Sequence, residues 1–324
     1  MLEPAVAPNA DDLAQARHII AEYLRPTPTV TIHLRGRPVY AKMESFQPTG
    51  SFKIRGGLAA VGAAHRRDPR GAVITSSAGN HGLGVSHASS LLGVQATVVV
   101  PVTASPAKVK KLQNYDIELI QWGSSYDEAQ AHAIDLAEQR GLHYISPFND
   151  THVMAGQATV FDEMFAQVPD LEHIVIPVGG GGLVSGMLFA RARHGATGVH
   201  FTGAQPENSA AMYHFIAGVP IADIPQSPTV ADGLAGGGDE GSLPNDVVAD
   251  HDVPLVVVPE LLIRRAVREA AETNGLIIEG SAATPYAAIT NNLVNDEHSR
   301  IAFIVSGRNI SHQLFNELYN EEQD

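Results

Sequence analysis

Apolar residues along this chain gather in short unbroken runs instead of alternating with polar ones. Ala72–Thr75, Ala96–Val100 and Ile117–Gln121 are β-branched or apolar, and ten or more residues of helical character follow each. Ile174–Val178, His200–Ala204, Pro254–Val258 and Ile301–Val305 continue the series after Gly141–Asn149. Strands without polar alternation, separated by helices, predict a parallel sheet covered on both faces, hence an α/β fold. Such a sheet presents its ligand at the carboxyl ends of its strands. Upstream, Asp11 or Asp12 is placed to cap a helix through about Leu24, which Pro26 and Pro28 end. Val30–His33 and Val39–Lys42 read as short strands. The turn Pro48-Thr49-Gly50 then leads through Ser51, in N-cap position, into a helix of small residues.

Composition narrows the class. The 324 residues suffice for one large domain or two medium ones, and 44% apolar with 17% charged residues is the balance of a soluble globular protein. A net charge of −14 argues against nucleic acid or an anionic membrane as partner, so any anion site is local. With no cysteine, thiolate catalysis, disulfides and cysteine-ligated metals are excluded. No apolar stretch is long enough to span a membrane and the N-terminus lacks a basic start, so a cytoplasmic protein is expected. His143, His152 and His173 sit singly, without metal-ligand spacing, and Trp122 reads as core or subunit interface.

Candidate chemistry lies in the loops that follow strands. Gly179-Gly180-Gly181-Gly182 separates an apolar strand from the helical pattern Leu183–Arg193. Four glycines at such a junction let successive N–H groups converge on one anion at the positive end of a helix, which suits a phosphate. Lys53 falls in a first helical turn among apolar and small neighbours, where the dipole and burial both lower an amine's pKa. In Thr75-Ser-Ser77-Ala-Gly-Asn80-His81-Gly82, Ser77 and Asn80 lie beside the amides of a helix start, a setting for a carboxylate. Glu279-Gly-Ser opens a late helix, and Ser306-Gly307-Arg308-Asn309 follows the last apolar strand.

With these pieces together, the sequence resembles the fold-type II pyridoxal-phosphate enzymes, and within them the serine/threonine dehydratase and serine racemase family. The resemblance rests on Ser51-Phe52-Lys53-Ile-Arg55-Gly56, Ser77–Gly82, Pro177–Leu183, Thr229-Val-Ala-Asp232-Gly233, Glu279-Gly-Ser and Ser306-Gly-x-Asn309, in family order from about residue 25 to 312. It implies pyridoxal 5'-phosphate held on Lys53 as a Schiff base, with Lys53 also the base that removes the Cα proton. Gly179, Gly180, Gly181, Gly182 and Leu183 would bind the phosphate, Asn80 the ring hydroxyl, and Ser306 the pyridine nitrogen, with Phe52 and Glu279 beside the cofactor. A serine at the nitrogen leaves it neutral, which weakens the electron sink but keeps β-elimination feasible. Ser77, Asn80 and His81 would hold the substrate carboxylate. The implied reaction is loss of water from a β-hydroxy amino acid such as threonine or serine, giving a 2-oxo acid and ammonia. A racemase or a β-replacement enzyme is the alternative within the family, and a non-catalytic binding protein would need Lys53 disabled.

Four departures sharpen this expectation. Ala78 stands where serine racemases carry a second acid/base hydroxyl, which favours a dehydratase. Leu83 replaces a glutamine and is expected to make the substrate pocket less polar, admitting a larger or more apolar β-substituent. Gln205 and Ala211 occupy the two acidic positions of the metal-stimulated relatives, so no metal is expected there. Arg308 replaces the second glycine of Ser-Gly-Gly-Asn and would bring a cation near the ring or the entrance. The resemblance further implies two parallel-sheet, three-layer domains of the tryptophan-synthase-β-like kind. A large cofactor-binding domain, 1–65 plus 150–324, would carry an inserted, mobile substrate-binding domain, 70–148. Cofactor and substrate are expected between them, with closure excluding water, and a homodimer is the family's usual assembly. Ending just after Asn309, the sequence would lack the family's regulatory domain, which suggests a catabolic enzyme.

Overall fold

All seven apolar runs become strands. The computed structural model describes residues 4–236, 241–295 and 300–321. Its strands are β1 Thr29–Leu34, β2 Arg37–Lys42, β3 Val73–Ser76, β4 Ala96–Val100, β5 Glu118–Gln121, β6 His143–Tyr144, β7 His173–Pro177, β8 His200–Pro206, β9 Leu255–Val258 and β10 Ile301–Ile304. The helices are α1 Ala10–Tyr23, α2 Lys53–Arg67, α3 Asn80–Leu92, α4 Pro106–Leu112, α5 Tyr126–Arg140 and α6 Thr151–Gln167, then α7 Gly182–Arg193, α8 Ala211–Ile216, α9 Leu243–Asp250, α10 Glu260–Asn274, α11 Gly280–Thr290 and α12 His312–Tyr319. Two sheets result, with strand orders β1-β2-β10-β7-β8-β9 and β5-β4-β3-β6, parallel throughout except for the β1–β2 hairpin. The unbroken runs thus have the meaning expected of them: β3, β4, β7 and β10 are buried along their full length.

The chain divides into two compact units, residues 1–25 with 47–159 and residues 26–46 with 160–324. Helix α2 falls within the first unit. Ile54, Leu58 and Val61 of α2 share one apolar cluster with Ile19 and Ile20 of α1, Val85 of α3, Val73 and Val153. The second unit's core is built on α11, whose residues Gly280 to Ile289 are all buried. There Tyr286 meets Phe303 of β10 edge to face, with ring centres 6.0 Å apart. At the N-terminus the cap is Asn9 rather than Asp11 or Asp12. Its side chain accepts from the amides of both, and Asp12 returns a bond to the Asn9 amide. Trp122 is 53% exposed and stacks on His132, so it is not a core residue.

Helices α2 and α3 approach at glycines. A Cβ at Gly84 would lie 2.8 Å from the Lys53 carbonyl oxygen, and one at Gly57 would lie 2.6 Å from the Gly84 carbonyl oxygen. On the α6 side, a Cβ at Gly156 would lie 2.5 Å from the Arg55 carbonyl oxygen. Backbone atoms cannot swing aside as a flexible side chain can. A Gly84→Ala variant therefore gains about 1 kcal/mol of helix propensity but loses about 1–3 kcal/mol to overpacking. We expect a Tm lowered by about 1–3 °C, whereas Gly198→Ala, with nothing within 4 Å of the added carbon, leaves it unchanged in the same calorimetric scan.

Candidate active site

In the first unit the candidate reactive group is Lys53. Its helix begins without a side-chain cap: Phe52 is the N-cap residue in αR conformation, and the Ser51 hydroxyl, expected to cap, is fully buried and bonds to nothing. The Lys53 ammonium lies over the Phe52 ring, 5.2 Å from its centre, and donates to the Pro147 carbonyl at 2.7 Å. The residue keeps some exposed surface, but burial of its amine end lowers its pKa to about 8. One carbonyl bond and an aromatic face stabilise an ammonium less than water does, which is why the neutral amine becomes accessible.

His81, in the first turn of α3, is tied to the same stretch of chain. Its Nε2–H donates to the Ile145 carbonyl at 3.3 Å, and Thr75 Oγ1 donates to that carbonyl at 2.8 Å. Burial first, then the Lys53 charge, pushes the imidazole down to about 3, so it is neutral. With Nε2–H committed, Nδ1 is left as a buried acceptor without a partner. A neutral ring in this tautomer cannot donate to a carboxylate, so any such contact from His81 comes through its first-turn amide. Ser77 Oγ accepts from the Gly79 amide at 3.2 Å, which folds the loop back on the start of α3 where Asn80 begins the helix. Ser76 Oγ, just before it, is buried and unpartnered. The segment Ile145 to Pro147 escaped sequence reasoning because it acts through carbonyl oxygens, which carry no residue identity.

Leu83, expected to line the substrate pocket, is 6% exposed and packs with Val98, Val100 and Leu112 in an apolar cluster of the first unit. Arg308 is exposed to solvent.

In the second unit the glycine run turns from β7 into α7. Gly181 is the N-cap, at φ 81°, a left-handed conformation that favours glycine. A Cβ there would meet Met212 Cε at 2.5 Å and Pro244 Cβ at 2.8 Å, and one at Gly179 would meet the Leu234 backbone at 3.1 Å. The first-turn amides of α7, including those of Gly182 and Leu183, have no carbonyl a turn earlier to bond. Nearby polar groups are uncommitted as well: Ser185 Oγ in α7, and Ser242 Oγ with both amide atoms of Asn245 at the start of α9. Asn245 lines a narrow crevice with Gly179, Ala211 and Met212, and no sequence motif marks it.

The stretch Thr229 to Leu234 links the run to the Glu279 turn. Leu234 lies against Gly179, Gly233 lies under Ser281, and Val230 O crowds Gly280. Glu260 holds the start of this stretch, accepting from Thr229 Oγ1 at 2.6 Å and from the Val230 amide at 2.7 Å. The Glu279 carboxylate accepts from the Asn309 amide at 2.9 Å, and a Cβ at Gly307 would lie 2.5 Å from its Oε1. Gly307 is therefore needed for Glu279 to sit there. Ser306, between β10 and Gly307, is 2% exposed with an unpartnered hydroxyl. The strand end is tied to β2, where the Lys42 carbonyl accepts from the Val305 amide at 2.9 Å and the buried Lys42 ammonium pairs with partly buried Glu163 at 2.6 Å.

Comparison with known proteins gives these two groups of residues a common frame. The chain is 36% identical to an L-threonine ammonia-lyase of Geobacter sulfurreducens over 275 residues, which are 85% of this chain and 68% of that protein. It is 33% identical to an L-threonine ammonia-lyase of Thermotoga maritima over 315 residues, 96% of this chain and 78% of that one. Among solved structures it superposes on maize serine racemase with a TM-score of 0.86 at 31% identity, covering 97% of this chain and 98% of that chain. The sequence profile described as pyridoxal-phosphate dependent enzyme matches residues 20–307, a span that holds Lys53, the glycine run, Glu279 and Ser306. The chain belongs to the family of pyridoxal-phosphate dependent enzymes, fold type II.

Proposed function

We propose that the protein is a hydroxy-amino-acid ammonia-lyase, converting a β-hydroxy amino acid such as threonine or serine to a 2-oxo acid and ammonia. The observation that carries this reading is Lys53, a sheltered amine held by one carbonyl bond, whose pKa burial lowers to about 8. The similarity to L-threonine ammonia-lyases runs through the segment that holds it.

The residues fit pyridoxal phosphate. Unpartnered buried hydroxyls at Ser51 and Ser306, each of which costs about 1–3 kcal/mol when left unsatisfied, call for a polar ligand. In the glycine run a Cβ would be tight against Leu234 at Gly179 and would clash with Met212 and Pro244 at Gly181. In this reading Lys53 carries the cofactor's aldehyde carbon, beside Phe52, and the amides of Gly179, Gly180, Gly181, Gly182 and Leu183 bind its phosphate. Asn80 bonds its ring hydroxyl, Ser306 meets its ring nitrogen, and Glu279 braces the Ser306–Asn309 turn. When bound, the cofactor supplies the electron sink that makes the substrate's Cα–H acidic. The start of α3, through Ser77, Asn80 and the His81 amide, holds the substrate carboxylate. Once the substrate's amine has displaced it, neutral Lys53 Nζ would take the Cα proton, and the β-hydroxyl would leave as water, so that one proton and one hydroxyl are lost from the substrate. The resulting enamine takes up one water, releasing ammonia and the 2-oxo acid, so water balances. A serine racemase is a structural neighbour, but inversion requires a proton donor on the second face, and Ala78 has no hydroxyl to offer.

The decisive assay measures ammonium and 2-oxo acid from both enantiomers of serine and threonine, from 3-hydroxyaspartate and from 3-phenylserine, with Mg²⁺ or with EDTA. We expect equimolar products from one or more, unaffected by either addition, and a loss of at least about a hundredfold in Lys53→Ala. Inversion of serine without ammonium release would contradict the reading. The Lys53 pKa predicts a second outcome. Attack on an aldehyde needs the neutral amine, so attachment of pyridoxal phosphate to the apoprotein should accelerate as pH rises, with its midpoint near 8. A midpoint near the unperturbed 10.5 would show that the amine is not desolvated.

A further inference from the structure

Gln205 lies near the end of β8, is fully buried, and carries no role in the reaction described above. Both ends of its amide are committed. Nε2 donates to the Val178 carbonyl at 3.2 Å, and Oε1 accepts from the Tyr213 amide at 2.8 Å. Only this orientation of the side-chain amide satisfies both neighbours, because a carbonyl needs a donor and an N–H needs an acceptor.

Val178 is the residue immediately before the glycine run. Its own N–H is fixed, donating to the Ala204 carbonyl at 2.9 Å. Its carbonyl shares a planar peptide unit with the Gly179 N–H, and the two point in opposite directions. Whatever holds the Val178 carbonyl therefore aims the Gly179 N–H, the first amide of the run. The constraint is needed at this position, since glycine accepts either orientation of the preceding peptide at little steric cost. At its other end Gln205 pins the start of α8, whose Met212 fills the space beside Gly181.

We propose that Gln205 is a positioning residue for cofactor phosphate, locking the Val178–Gly179 peptide so that the Gly179 amide faces the anion. This rests on the reading of the glycine run as the phosphate site. Because the residue acts on the phosphate alone, its removal should weaken pyridoxal 5'-phosphate binding and leave pyridoxal, which lacks the phosphate, unaffected.

The test compares dissociation constants of both compounds, by absorbance titration of the full-length apoprotein, in wild type, Gln205→Glu and Gln205→Met. Gln205→Glu keeps an acceptor for Tyr213 and replaces the donor with an oxygen facing the Val178 carbonyl, and Gln205→Met removes both contacts at similar length. We expect the pyridoxal 5'-phosphate constant to rise at least tenfold in each, with the pyridoxal constant within twofold of wild type. Should Gln205→Met fail to fold, Gln205→Glu alone carries the test. Equal losses for both compounds, or none for either, would overturn the proposal. A wild type that does not prefer pyridoxal 5'-phosphate over pyridoxal would instead overturn the assignment of the glycine run, and this inference with it.

Discussion

Helix α2 reaches α3 and α6 through bare backbone, and the chemistry of Lys53 depends on that contact. Gly57 and Gly84 let the two helix starts touch at the Lys53 carbonyl, and Gly156 does the same at Arg55 on the other side. With both flanks closed by main chain, α2 has little freedom to tilt or slide. The lysine that opens it is kept away from water, with the Pro147 carbonyl for company. A desolvated ammonium is costly unless compensated, and one neutral acceptor compensates only in part. The outcome is an amine poised to lose its proton near pH 8. Tight packing and amine activation are one physical arrangement.

The second unit meets a different demand with a similar device. A dianionic phosphate in a protein of net charge −14 needs a strictly local positive field, and backbone amides at a helix start supply one without a cation. Such amides serve only if they are aimed. Gly181 is crowded by Met212 and Pro244, Gly179 by Leu234, and the peptide before Gly179 is held by Gln205. Glu260 steadies the Thr229–Leu234 stretch, and Lys42 with Glu163 steadies the strand end beside Ser306. These charges hold backbone groups, while the buried hydroxyls of Ser306 and Ser185 have no hydrogen-bond partner.

The sequence made the parallel sheets, the glycine run and the low-pKa lysine legible, because each depends on a local pattern: unbroken apolar runs, consecutive glycines, a cation in a first helical turn. What it could not convey was which neighbour a residue faces. Leu83 is legible by its place beside the Asn80–Gly82 motif, but its packing against Val98 and Leu112 needs the fold to be seen. Ser51 read as a cap, while Phe52 occupies that position and leaves the hydroxyl unused. The glycine contacts between α2 and α3, both within the first unit, look like ordinary small residues in sequence. Gln205 was legible only as the absence of a carboxylate, and its two backbone bonds needed the fold to be seen.

The central claim is that Lys53 is the amine that carries pyridoxal phosphate. Loading the apoprotein with pyridoxal phosphate, reducing it with borohydride and mapping the modified peptide by mass spectrometry tests this directly. The account predicts one irreversible phosphopyridoxyl adduct, on the peptide containing Lys53, and none in Lys53→Ala. An adduct on Lys42 or on the exposed lysines of α4, with Lys53 unmodified, would contradict it.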